Sequence, residues 1–90
     1  MGTFSYRKRP VVIEAFQYTE DDPNLTKAYP QWFLAAVAKG IVIDTSEGLA
    51  ITTLEGNMLV SDTDWIIQGL MGELYPCKDH IFKATYEKAE

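Results

Sequence analysis

Between Thr63 and Glu87 the chain carries more structural punctuation than anywhere else, and this stretch leaves few ways to fold. Trp65, Ile66 and Ile67 form a short β-prone block, broken by Gly69 and Gly72. Glu73-Leu74-Tyr75 reads as the return strand, ended by Pro76. Two apolar runs closed by a glycine-containing turn are the mark of a β-hairpin. After Pro76, Ile81 and Phe82 stand four and five residues behind Cys77, a spacing that predicts one or two helical turns over residues 78–84. Thr85, Tyr86 and Glu87 then read as a last short strand.

The rest of the chain has fewer such signals but is consistent with this stretch. Pro10 opens a strand over residues 11–18 with two registers: Val11, Ile13, Ala15 and Gln17 on one face, Val12, Glu14, Phe16 and Tyr18 on the other. The first is more uniformly apolar and is expected to face the core. Residues 1–9 form a mobile or edge lead-in, and Glu20-Asp21-Asp22-Pro23-Asn24 an acidic loop. Pro30 suits the first turn of a helix and Gly40 the residue past its end. Phe33, Ala36 and Val37 share one stripe, widened by Leu34 and Ala38, while Lys39 suits the helix C-terminus. From Gly40 the chain meanders: Ile41-Val42-Ile43, a turn at Ser46-Glu47-Gly48, a strand over residues 49–53, a turn at Glu55-Gly56-Asn57, then Met58-Leu59-Val60. No strand–helix alternation leaves room for parallel crossovers. The expectation is one α+β domain over residues 1–90. It comprises a small, strongly bent, barrel-like antiparallel sheet of short strands, covered by one main helix.

Charge and cysteine usage remove several function classes. Thirteen acidic against eight basic side chains leave a net charge of −5, which argues against a nucleic-acid polymer as partner because phosphate contacts need a basic surface. The longest apolar run, residues 32–38, is far short of the roughly 20 residues a membrane span requires. No long apolar stretch follows Arg7-Lys8-Arg9, so no signal peptide is expected. The single cysteine, Cys77, fits a reducing cytosol. A chain this short buries a modest share of its surface, and a homo-oligomer is a common way to add to it.

Catalytic and metal chemistry find little support. Cys77 and His80 lack the second pair of ligands that a structural zinc site needs. The same two residues and Asp79 could lie on one helical turn, but no oxyanion-hole glycine pattern accompanies them. Glu14, Asp44, Asp64 and Glu73 lie in or beside strands and read as solvated faces, with Asp64 making a turn hydrogen bond. No phosphate-cradling glycine loop lies between a strand and a long helix. No catalytic residue, metal ligand or cofactor is assigned.

The motifs TDWIIQGLMGELYPCKDHIFKATYE, RKRPVVIEAFQYT and YPQWFLAAVAKG together resemble a widespread family of small bacteriophage proteins. The family's C-terminal signature runs Pro-Gly-Asp-aromatic-Ile-Ile-x-Gly, Gly-Glu-aromatic-Tyr-Pro-Cys-Lys, Ile-Phe and Thr-Tyr-Glu. The chain departs from it twice. Asp62-Thr63 stands in place of Pro-Gly, so the tight turn before Asp64 is expected to differ, and Asp79-His80 replaces Pro-Asp. The resemblance implies a phage-encoded protein of the infected cell's cytoplasm and no shared activity.

Aromatic side chains are the remaining signal: four Phe, two Trp and five Tyr in 90 residues. Rings with a polar tip recur in pockets that stack a base, and Arg7 and Arg9 supply paired donors for phosphate oxygens. The expected ligand-binding set is Arg7, Arg9, Trp65, Tyr75, Tyr18 and Lys78, holding a small anionic nucleotide. The corresponding function is a non-enzymatic protein that sequesters a nucleotide-derived immune signal, of cyclic nucleotide or cyclic ADP-ribose type, and so counters host anti-phage defence. The alternative is a protein-binding inhibitor of a host factor, or a phage accessory protein, using exposed aromatics as hot spots.

Overall fold

The computed structural model describes residues 2–7, 9–20 and 28–89. Eight elements follow one another among them: β1 (Glu14–Gln17), α1 (Gln31–Ala38), β2 (Val42–Thr45), β3 (Gly48–Thr53), β4 (Gly56–Leu59), β5 (Trp65–Gln68), β6 (Leu74–Cys77) and α2 (Asp79–Thr85). The class is α+β. The strands do not form one rolled sheet; they divide into two antiparallel three-stranded sheets, β1-β5-β6 and β2-β3-β4, neither closed nor strongly curled. The acidic loop at residues 21–24 and Lys8 of the basic cluster lie outside the described residues.

The β2-β3-β4 meander uses one four-residue device twice. Thr45-Ser46-Glu47-Gly48 and Thr53-Leu54-Glu55-Gly56 each turn the chain between paired ends, Thr45 opposite Gly48 and Thr53 opposite Gly56. In each, the threonine hydroxyl donates to the glycine carbonyl (2.7 Å in both). It also accepts the glutamate N–H, at 3.1 Å and 3.2 Å. The glycines sit at φ 119° and 111°, where a side chain would be strained. The second turn is therefore Leu54-Glu55, one residue earlier than the expected Glu55-Gly56-Asn57, because the threonine fixes where it begins.

β5 and β6 form the expected hairpin, with Ile67 opposite Tyr75 and Gln68 opposite Leu74. Pro76 does not end the return strand but lies inside it, opposite Ile66. Gly69 N–H donates to the Glu73 carbonyl (2.7 Å). The backbone groups of odd-numbered residues in β6 thus point towards β5, and those of Leu74 and Pro76 point to the free edge. A missing N–H there breaks no ladder bond, which is why an edge strand tolerates proline. Cys77 is accordingly the last residue of β6 and not the first of a helix.

Both faces of the β1-β5-β6 sheet are covered, and this overturns the expected register of β1. Phe16 and Tyr18 pack against the core formed by Phe33, Ala36, Val42, Ile51, Val60, Ile66 and Leu74. Phe16 meets Phe33 edge-on at 5.0 Å and Tyr29 at 5.6 Å. Ala15 and Gln17 lie on the opposite face with Trp65 and Ile67, beneath α2. The pattern misled because neither face is wet, so polarity could not choose between them. The two sheets approach each other where β6 lies against β3 and β4.

The helices also differ from expectation in detail. In α1, Phe33 and Ala36 are buried, whereas Leu34 and Val37 are each nearly half exposed. Lys39 is the C-cap residue rather than part of the last turn. A second helix, α2, runs to Thr85, so the expected last strand at Thr85–Glu87 does not form. Thr85 Oγ1 donates to the Ile81 carbonyl (2.8 Å), and Tyr86 N–H donates to the Phe82 carbonyl (2.9 Å), which completes the last turn.

The turn before β5 carries backbone strain. Asp64 N–H donates to the Ser61 carbonyl (3.0 Å), closing a β-turn in which Thr63 has φ 71°. A tight turn forms here although its left-handed position is held by Thr63 and not by a glycine. A β-branched residue in the left-handed region costs about 1–3 kcal/mol, while glycine adds roughly 0.5–1 kcal/mol of unfolded-state entropy. Thr63→Gly is therefore expected to stabilise by about 1 kcal/mol, raising Tm by roughly 4–8 °C in a chain of this size. An unchanged or lower Tm in a thermal melt would show that the turn stores no strain.

Candidate functional site

At the end of the sandwich where β6 crosses the β3–β4 turn, the two sheets leave a cleft of about 650 Å³. Its floor continues the core face of the second sheet: Ile51 is sealed, and Met58 opposite it is more than a third exposed. Leu54, Thr52, Thr53 and Ile41 line one side, and Gly72 to Pro76 the other. The lining is mainly apolar. Among the described residues its charged members are Glu55 and Glu73, both exposed carboxylates, with no basic side chain beside them. The free edge of β6 carries the outward N–H and C=O of Leu74 and the C=O of Pro76. Leu70 and Met71 are strongly exposed on the adjoining β5–β6 turn. Glu73 folds back over that turn, and its Oε1 accepts Met71 N–H at 3.4 Å. Gly69 makes room for it, since a Cβ there would collide with the Glu73 carboxylate.

A second groove, of about 680 Å³, lies on the α2 side, between residues 11–15 and the segment 86–89. Three rings line it in sequence. Trp65 stacks on Phe82 (4.1 Å, 6° between planes), and Phe82 stacks on Tyr86 (5.0 Å, 30°). Asp79 ties this ladder to the sheet. Its Oδ1 accepts Trp65 Nε1–H (2.9 Å) and Gln17 Nε2–H (3.3 Å), and its Oδ2 lies 3.1 Å from Lys83 Nζ. The Trp65 hydrogen bond, followed by Lys83, holds the Asp79 carboxyl below its ordinary range.

The residues expected to bind a ligand are spread over three places. Tyr18, Trp65 and Lys78 gather around the turn at residues 61–64, but each is already engaged. Tyr18 exchanges backbone hydrogen bonds with Thr63 and Asp64, and burial, then Glu20, pushes its phenol pKa up. Trp65 spends one ring face and its indole N–H on α2. Lys78 Nζ lies 3.4 Å from Asp64 Oδ1, and the nearly sealed Asp64 also accepts Ser61 N–H (2.9 Å). Tyr75 lies farther along the same sheet face as Trp65. Burial and a side-chain hydrogen bond to Tyr86 push its phenol up to about 12. Arg7 and Arg9 are exposed in the segment before β1 and line neither groove.

Cys77 is half-buried, and burial, then Asp64, raises its thiol pKa. That direction lowers the thiolate fraction, the opposite of what a nucleophile needs. His80 is exposed on α2. Among the described residues no three His, Cys, Asp or Glu side chains gather in a way that could hold a metal ion. No helix among them is long and apolar enough to cross a membrane.

Sequence reasoning missed the cleft, although one signal pointed to it. The repeated turn carries Ser46 in its first copy and Leu54 at the same position in its second. An apolar residue at a turn tip, fully exposed, breaks the polar pattern that loops keep. Phe82 was also missed; its i, i+4 spacing from Tyr86 on a short helix was the available clue. No family model, curated protein or solved structure matches this chain.

Proposed function

We propose that this chain is a non-enzymatic binding protein that takes an extended polypeptide segment into the cleft between β6 and the β3–β4 turn. One observation carries this reading: apolar side chains converge on an open cleft beside an unpaired strand edge. Leu54 and Met58 are exposed in its lining, and Leu70 and Met71 on the adjoining β5–β6 turn. A strand edge supplies main-chain hydrogen bonds to an extended guest, and alternate side chains of that guest find the apolar lining. An anionic nucleotide is disfavoured in this cleft because its charged lining is acidic. The resemblance to small bacteriophage proteins supports a phage accessory role with polypeptide binding as its working step.

The test is selection of linear peptides from a displayed random library, followed by affinity measurement against Met58→Glu. Extended peptides with alternating apolar residues are expected to bind, and Met58→Glu to weaken them about tenfold or more. A library that yields no binder removes this reading.

The second reading is sequestration of a small nucleotide-derived immune signal. The Trp65-Phe82-Tyr86 ladder favours it, because the groove it lines is bounded by the segment that follows Arg7 and Arg9. Calorimetry against cyclic dinucleotides and cyclic ADP-ribose isomers decides it, and a blank panel ends it.

A further inference from the structure

The segment before β1 is unlike the rest of the molecule. Residues 2–7 and 9–12 are exposed and outside every element, with Phe4 77% and Tyr6 90% exposed. The radius of gyration is 15.1 Å, against about 12 Å for a compact chain of this length. This arm carries three of the eight basic side chains (Arg7, Lys8 and Arg9) and none of the thirteen acidic ones. It thus stands at +3 on a body of −8. Along it Phe4 and Tyr6 alternate with Ser5 and Arg7, the period of a strand with one apolar side.

The cleft described above has the complementary features. It is apolar, it borders a free strand edge, and Glu55 and Glu73 are its charged lining. Arm and cleft also lie at the same end of the first sheet, since Glu14 pairs with Gln68 and Gln68 with Leu74. A two-fold pairing of chains could then fill both clefts with both arms.

Resting on the reading that the cleft takes an extended polypeptide, we propose that its occupant is the N-terminal arm of a second copy of this chain. Phe4 and Tyr6 enter the apolar lining, while Arg7 and Arg9, on the outward side of the strand, reach the exposed carboxylates of Glu55 and Glu73 at its rim. The protein thereby assembles through exchange of arms. Two unlike chemistries, apolar burial and opposite charge, select the same pair of surfaces. Charge in particular distinguishes this guest from the acidic body of another copy.

The experiment is charge reversal with rescue in full-length chains, read by sedimentation velocity at high micromolar concentration. Wild type is expected to assemble beyond one chain. Arg7→Glu with Arg9→Glu, and separately Glu55→Lys with Glu73→Lys, should each weaken assembly about tenfold or more, and the chain carrying all four changes should recover it. Phe4→Ser with Tyr6→Ser should abolish assembly, and rising salt should weaken wild type because these charges are exposed. Thermal melts verify that each variant is folded, and Glu55→Lys alone replaces the pair if Glu73→Lys disturbs its turn. A wild type that stays a single chain overturns the proposal, as does an arm-reversed variant that assembles normally or a four-fold variant that fails to recover. If assembly fails these tests yet selected peptides still bind and are lost in Met58→Glu, the arm is refuted and the cleft reading stands. If no peptide binds either, both fall.

Discussion

Ile66→Ala is expected to lower the unfolding free energy by about 4 kcal/mol, near the upper part of the range for truncating a sealed aliphatic side chain. Ile66 is fully buried at the centre of β5, paired with Phe16 on one side and Pro76 on the other, and it belongs to the core that joins both sheets to α1. The edge-strand proline and the aromatic cluster around Phe16 leave little freedom to close the hole. A chain of this length has a total stability of roughly 5–13 kcal/mol, so this one change removes a large fraction of it. Urea unfolding checks the value, with Ile81→Ala as the comparison. Ile81 is about half exposed on α2 and should cost less than about 1 kcal/mol. Equal losses at the two positions would mean that the core is not where the structure puts it.

Trp65→Ala is the second large effect, expected at about 3 kcal/mol, the lower end for tryptophan because the ring is only half-buried. It removes the stack on Phe82 and the hydrogen bond that holds Asp79, and with them the tie between β5 and α2. Trp65→Phe keeps a ring in the stack and loses only the indole N–H, so it should cost much less than Trp65→Ala. The pair of variants also carries a pH signature. The Asp79 carboxyl is lowered, first by the Trp65 bond. Its contribution to stability is therefore fully present above the unfolded carboxylate pKa of about 4 and lost as pH falls through the lower folded value. The Trp65→Phe deficit should shrink below about pH 4. A deficit constant down to acid pH would place the loss in packing rather than in the Asp79 bond. These effects bear on function too. Because Trp65 supports the fold, loss of nucleotide binding in Trp65→Ala would count only if Trp65→Phe, with its ring retained, also weakened binding without unfolding.

Local chemistry made much of the fold legible in the sequence. Helix α1 could be read from Pro30, Gly40 and the stripe between them, and the hairpin from Gly69 and Gly72 between two apolar runs. The meander could be read from turn residues at short intervals. Each of these is decided within a few residues by backbone preference and side-chain period. α2 was legible as a helix, but its end was not, because Thr85 and Tyr86 favour strands until the Phe82 stack and the Ile81 carbonyl engage them. Glu55 and Glu73 were visible as charges, while their meeting at one cleft was not.

What only the tertiary structure decided is non-local. β1 pairs with β5 across half the chain, and this pairing splits the strands into two sheets instead of one rolled one. The face of β1 that meets the core depends on α2 covering the other face, and no period-2 pattern can report a cover that arrives some sixty residues later. The ligand-binding set was chosen by residue type, and tertiary contacts had already committed half of it: Trp65 to Phe82 and Asp79, Lys78 to Asp64, Tyr75 to Tyr86. Those contacts left the cleft at β6 open. An opening between two sheets belongs to neither alone, so its only trace in the sequence was Leu54 at a turn where its counterpart is Ser46.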